Sequence, residues 1–239
     1  MAHKTIRGRI LYTSKKPERM DEERGREYFT LTKQADGVNV LLAHSEIDDE
    51  PNVIRDVCLA YDPTNMKPID CSVRLTVGNK FEGSGWMHFA DSFAACENIN
   101  ARDGRVSQRM DFPGGVNAIT AHPIIGDGLL MNAYDLSKGP GKQKLKNVAL
   151  TSPDHRGATG PMLFKMKFSL VYVGDEEIAV PAGTFKARHF QVTDTAGELP
   201  EEHPPYDVWT TADDDNIFLR GTVGGYMMTH YELTELSYD

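Results

Sequence analysis

From residue 162 onward, apolar and polar side chains alternate with a period of two. Met162, Phe164, Met166, Phe168, Leu170 and Tyr172 fall on one face, and Lys165, Lys167 and Ser169 on the other. Successive side chains of a strand point to opposite sides, so this run predicts a half-buried antiparallel strand. The same beat recurs over 184–193, 206–211, 217–220 and 226–236. It also appears earlier, over 9–13, 28–34, 38–47 and 72–77. The sequence Ala35-Asp36-Gly37 joins two of these runs as a hairpin, because Asp-Gly readily supplies positive φ.

The stretch 53–61 fits a short helix almost as well as a strand. The Asp62-Pro63-Thr64-Asn65 turn after it makes a long hairpin with 72–77 the better reading. Further strands are expected at 86–89, 104–110, 116–121 and 128–135, with 15–26 as a solvated connection. Between 137 and 160 the composition shifts to Lys, Gly, Pro, Ser and Asn, which predicts a mobile loop or lid. No strand–helix–strand rhythm is present. The expected architecture is therefore all-β: one domain over 1–239, a strongly curved antiparallel sheet forming an open or closed barrel, with little helix.

Length and charge narrow the function classes. A chain of 239 residues can bury a core and still leave an internal cavity. A formal net charge of -9 argues against nucleic acid and anionic membrane surfaces as partners. The amino end is basic but lacks a following apolar region, so a secretory signal and membrane insertion are not expected. Three cysteines, Cys58, Cys71 and Cys96, fit neither a disulfide framework nor a zinc site and read as buried thiols in a reducing compartment. A cytoplasmic location follows as the expectation, with a homo-oligomer left open.

The segment Val180-Pro181-Ala182-Gly183-Thr184-Phe185-Lys186-Ala187 precedes a strand. It is followed by Tyr206-Asp207-Val208-Trp209 and by Tyr231-Glu232-Leu233-Thr234-Glu235-Leu236. This series resembles the C-terminal half of a large group of uncharacterised bacterial proteins related in shape to lipoprotein carriers. The resemblance covers about the last third of the chain. It implies a sheet wrapped around an apolar interior and transfers no catalytic residue.

Candidate chemistry lies in a few places. Trp86, Met166, Phe168, Tyr226 and Met228 would supply an apolar wall, since flexible methionines suit imperfectly shaped ligands. The same side chains would equally serve as solid core. In His122-Pro123-Ile124-Ile125-Gly126-Asp127-Gly128, a histidine and an aspartate bracket a tight turn. Asp127 holding the His122 imidazole would make a general base; alternatively the aspartate caps local amides and the histidine is exposed. His88 shares a side with Trp86, and His230 with Met228 and Tyr226. Arg220 either points inward, toward a carboxylate, phenolate or enolate, or pairs with an acid outside.

No spacing suggests a metal site, no fingerprint suggests a nucleotide, and Gly83-Ser84-Gly85 is not a nucleophile elbow. No cofactor is expected. Two functions remain. The first is a protein that encloses a bulky apolar or aromatic small molecule, with His88, His122, Arg220 and His230 orienting it. The second is a cofactor-independent lyase, isomerase or hydrolase using His122, Asp127 and His230 with an Arg220 clamp.

Overall fold

The structure, a computed structural model, describes residues 2–239. The chain begins with β1 (Lys4–Ser14), β2 (Glu23–Lys33), β3 (Asn39–Ile47), β4 (Val53–Asp62) and β5 (Lys67–Val77). Then come β6 (Lys80–Phe89), β7 (Phe93–Asn100), β8 (Gly104–Asp111) and β9 (Ala118–Thr120). A helix, α1 (Ile124–Leu130), precedes β10 (Gly141–Leu150), β11 (Phe164–Val180) and β12 (Gly183–Thr193). The chain closes with β13 (Tyr206–Thr211), β14 (Phe218–Val223) and β15 (Thr229–Tyr238).

All fifteen strands belong to one sheet, in the order β8-β7-β6-β5-β4-β3-β2-β1-β15-β14-β13-β12-β11-β10-β9. Every pairing is antiparallel except β9 with β10. Successive hairpins build both arms, and the first and last strands join them in the middle, so Tyr12 lies opposite Tyr231. The sheet is not closed. Its β9 end comes back against β5 rather than pairing with β8, which winds the structure into a spiral around its apolar face. This is the all-β, strongly curved sheet that the two-residue beat predicts.

The beat also sets the core. Met166, Phe168 and Leu170 point inward from β11, while Lys165 and Lys167 are exposed. Val57, Leu59 and Tyr61 of β4 do the same.

Besides Glu23–Arg26, which open β2 rather than a connection, and β7, where no strand is expected, two stretches depart from expectation. Residues 128–135, read as a strand, belong to the end of α1 and a short 3₁₀ turn at Met131–Ala133. The cause is not local. The Glu27 carboxylate of β2 accepts hydrogen bonds from the backbone N–H groups of Ile124 and Ile125, at 2.8 and 2.9 Å, and fixes the first helical turn. Gly128 lets the helix pass close to β14, since a Cβ there would lie 2.7 Å from the Phe218 amide nitrogen.

The other departure is 137–160. Residues Gly141–Leu150 are a strand of the sheet, β10, with a register shift between Leu145 and Val148, so that part of the segment is not a lid. Beyond it the chain folds into the spiral, where Pro161 lies against the inner face of β6 at Gly83 and Gly85. Leu163 is tied to the Gln108 side chain by its N–H and its carbonyl, at 2.8 and 3.3 Å. A Lys- and Gly-rich composition marks an exposed edge here, and the pairing partners of β10 decide its conformation.

Candidate functional site

The inner face carries a polar row across three neighbouring strands. Glu27 on β2 lies opposite Ser45 on β3, and Ser45 opposite Arg55 on β4. All three are buried. Glu27 is fully satisfied, because Tyr12 Oη donates at 2.8 Å and Ser45 Oγ at 3.0 Å beside the two helix amides. Burial raises its pKa, and these four donors oppose that shift. Arg55 is 2% exposed and donates to the Arg156 carbonyl. Burial also lowers the pKa of the Arg55 guanidinium.

None of the three lines the main cavity, which has a volume of about 130 Å³. One side is apolar, formed by Leu130 of α1, Leu150 of β10, Met166 and Phe168 of β11, Val192 of β12 and Val223 of β14. Polar side chains complete the lining, among them His122, Asp127, Asp154, His203, Tyr206 and Tyr231. A smaller chamber of about 50 Å³ lies alongside, and His122, Ile124, His155, Met227 and Tyr231 border both.

His122 leads from β9 into α1 with φ at 73°, a conformation uncommon for a residue with a Cβ. Its Nε2–H donates to the Ser152 carbonyl at 2.9 Å, which leaves Nδ1 as the acceptor of a neutral ring. Burial, reinforced by the nearby Arg55 charge, pushes its pKa down to about 3. Gly157 presses on the same two side chains. A Cβ there would lie 2.7 Å from both the His122 ring and the Arg55 guanidinium.

Asp127, one turn into α1, accepts a hydrogen bond from Tyr206 Oη at 3.1 Å. Burial pushes its pKa up to about 7, with the Tyr206 bond opposing and Glu27 adding to the rise. The arrangement thus places a neutral imidazole and a carboxyl titrating near neutrality on one cavity wall. Asp127 does not hold His122, since each has its own partner.

The other expected site residues divide sharply. Met166 and Phe168 line the cavity. Trp86 and His88 do not; they stack on each other on the outer face of β6, with centroids 5.9 Å apart and Trp86 49% exposed. Their shared side was read correctly, but it is the side facing solvent. His230 and Arg220 are outside as well. Both contact Glu232, His230 at 3.3 Å and Arg220 at 2.9 Å, so the expected arginine clamp is a surface ion pair. Tyr226 and Met228 are exposed in the turn before β15, and Met227 between them points to the cavity.

Several interior groups escaped the sequence reading: Tyr12, Glu27, Arg55, Tyr206 and Tyr231. A signal was present for two of them. Arg55 interrupts the inward series Val53, Val57, Leu59 and Tyr61, and Glu27 starts the inward series Phe29 and Leu31. A charged residue in phase with a buried face requires a partner inside.

The fold has a counterpart of known structure. The crystal structure of a beta-barrel-like protein of Domain of Unknown Function DUF1849 from Brucella abortus matches this chain with a TM-score of 0.60. Sequence identity is 11%, and the match covers 98% of each chain. At that identity the likeness shows the fold alone, and it extends over the whole chain rather than the last third. No family model matches the sequence, and no curated protein matches it. No helix among the described residues is long and apolar enough to cross a membrane.

Proposed function

We propose that this protein encloses a small molecule with an apolar or aromatic body inside the spiral. The observation that carries the reading is the cavity of about 130 Å³, whose lining combines many apolar side chains, Met166 and Phe168 among them, with His122, Asp127, Asp154, His203, Tyr206 and Tyr231. Binding sites commonly combine an apolar lining with a few placed polar groups. An apolar cavity of about 150 Å³ in a protein core is large enough to bind benzene. A ring or a short branched chain is thus the scale of the apolar body. A lipoprotein-carrier role would call for longer acyl chains, and the cavity volume favours the smaller class. Three free cysteines, of which Cys71 and Cys96 are buried, accord with a reducing, cytoplasmic setting.

Native mass spectrometry and displacement of a hydrophobic dye test this reading together. The wild-type protein is expected to bind the dye and release it to small aromatic competitors. Met166→Trp, which fills the cavity from β11, is expected to lose that binding while retaining a cooperative thermal transition. A wild-type protein that binds neither dye nor competitor contradicts the proposal.

One observation favours a second reading, a cofactor-independent lyase, isomerase or hydrolase. Asp127, with its pKa pushed up to about 7, is suited to give and take a proton near neutral pH, and neutral His122 lies on the same wall. The interior arginine available to such chemistry is Arg55 rather than Arg220. Turnover of phenyl esters or enolisable aryl ketones that disappears in Asp127→Asn would support catalysis. Binding without turnover of either class would leave the binding function.

A further inference from the structure

We infer that the small chamber beside the main cavity is an anion site, and that the molecule held in the spiral is a small aromatic or short-chain monocarboxylate. The inference rests on the binding reading above and names the ligand's chemical class. In this arrangement the carboxylate seats on Arg55 and the apolar body fills the space under Met166 and Phe168.

The wall of the small chamber is cationic. Arg24, Arg55 and Arg156 line it together with His122 and His155, and no aspartate or glutamate does. Arg24 is already paired, with Asp49 at 2.5 Å. Arg55 is not. Among the described residues no carboxylate lies within 4 Å of its guanidinium, and its one hydrogen bond goes to the Arg156 carbonyl. A guanidinium has five N–H donors and stays charged in proteins. The remaining Arg55 donors are not sealed against protein atoms; Arg55 forms part of the chamber wall.

The three carboxylates whose charge reaches Arg55 are each occupied elsewhere. Glu27 accepts from Tyr12, Ser45 and the two α1 amides. Asp154 accepts from the backbone amides of Arg156 and Ala158, at 2.9 and 3.1 Å. Asp127 accepts from Tyr206. A buried cation without a close counter-charge is destabilising, and a planar guanidinium fork matches a carboxylate in two-point geometry.

The volumes agree with this division. About 50 Å³ admits a carboxylate and excludes a ring, whereas 130 Å³ next door admits the ring. His122, Ile124, His155, Met227 and Tyr231 border both chambers, so the two are adjacent, and the inferred ligand reaches from one into the other. Asp127 and Asp154 line only the larger chamber, so neither borders the proposed carboxylate seat.

Isothermal titration with phenylacetate and with its uncharged counterpart phenylacetamide tests the inference at a pH where phenylacetate is ionised. Wild-type protein is expected to bind phenylacetate about 10- to 100-fold more tightly than phenylacetamide, the range given by charged hydrogen bonds. In Arg55→Gln the preference should vanish while the amide's affinity changes little. Equal wild-type affinities overturn the inference, as does a preference that survives in Arg55→Gln. The wild-type comparison stands even where the variant fails to fold. Dye binding with no phenylacetate preference removes the anion site and leaves the cavity reading intact. Failure of the dye and both probes removes both.

Discussion

Asp127 and His122 occupy the same wall with opposite responses to pH, and this gives a stability prediction specific to those two side chains. The Asp127 pKa is raised from its ordinary value of 3.8 to about 7, so the native state holds a proton that the unfolded chain releases. Its stabilising effect is complete below about pH 4 and is lost as pH rises through 7. The His122 pKa is lowered from 6.5 to about 3, so its effect is complete above about pH 6.5 and is lost as pH falls toward 3. Between about pH 4 and 6.5 the two slopes oppose each other, each about 1.4 kcal/mol per pH unit. Asp127→Asn is therefore expected to make stability rise with pH across that window relative to wild type, and His122→Gln to make it fall. Urea denaturation at several pH values measures both slopes; parallel wild-type and variant curves would contradict the burial argument.

The same residues show how much of the site the sequence made legible. The pattern of Met166 and Phe168 identifies an inward face because several consecutive alternations agree. The last hairpin offers no such phase. Tyr226, Met227 and Met228 lie in its turn, where parity carries no information, so the inward residue is Met227 rather than its neighbours. A one-residue error there also exchanges His230 for Tyr231. For Trp86 and His88 the spacing gives a shared side but not which side, since the inner face carries apolar Met87 and Phe89 but only Gly83 and Gly85 before them, and aromatic Trp86 reads equally well as core.

Among the elements, α1 depends most on a distant contact. It has no side-chain cap of its own, with Pro123 at its N-cap position. The carboxylate of Glu27, 97 residues away in sequence, supplies the missing acceptors. No local pattern reveals a cap of that kind, which is why a turn and a strand were the natural expectation for 122–135. Glu27→Gln keeps the size but offers one acceptor oxygen to four donors. It is expected to destabilise the protein by about 2–4 kcal/mol, the scale for leaving buried partners of a charged group unsatisfied. Hydrogen exchange should show the loss first at the amides of Ile124 and Ile125. Unchanged protection there would mean the helix holds without Glu27. The segment after β10 is the other dependent element. It packs Gly157 onto His122 and Arg55, a close approach that a sequence of Gly, Ser and Asp does not announce.

On the scale of the whole molecule, β-hairpins repeated along the chain make the architecture readable from alternation and turn chemistry alone. Closure is not readable in that way. Whether a long sheet meets its own edge or winds past it depends on accumulated twist, and here β9 passes against β5 instead of pairing with β8. The main cavity lies within the C-terminal arm, under α1 and the segment after β10, and only the smaller chamber is bordered by both arms. The cavity is thus a property of the winding, of α1 and of the strands β9 to β15 that line it, and it is the ground on which the proposed function stands. Anomalous diffraction from a crystal soaked with iodobenzene locates an apolar guest directly. The account predicts an iodine peak between α1 and β11, within contact of Met166 and Phe168. An empty interior, or a peak only on the outer face at Trp86 and His88, would contradict it.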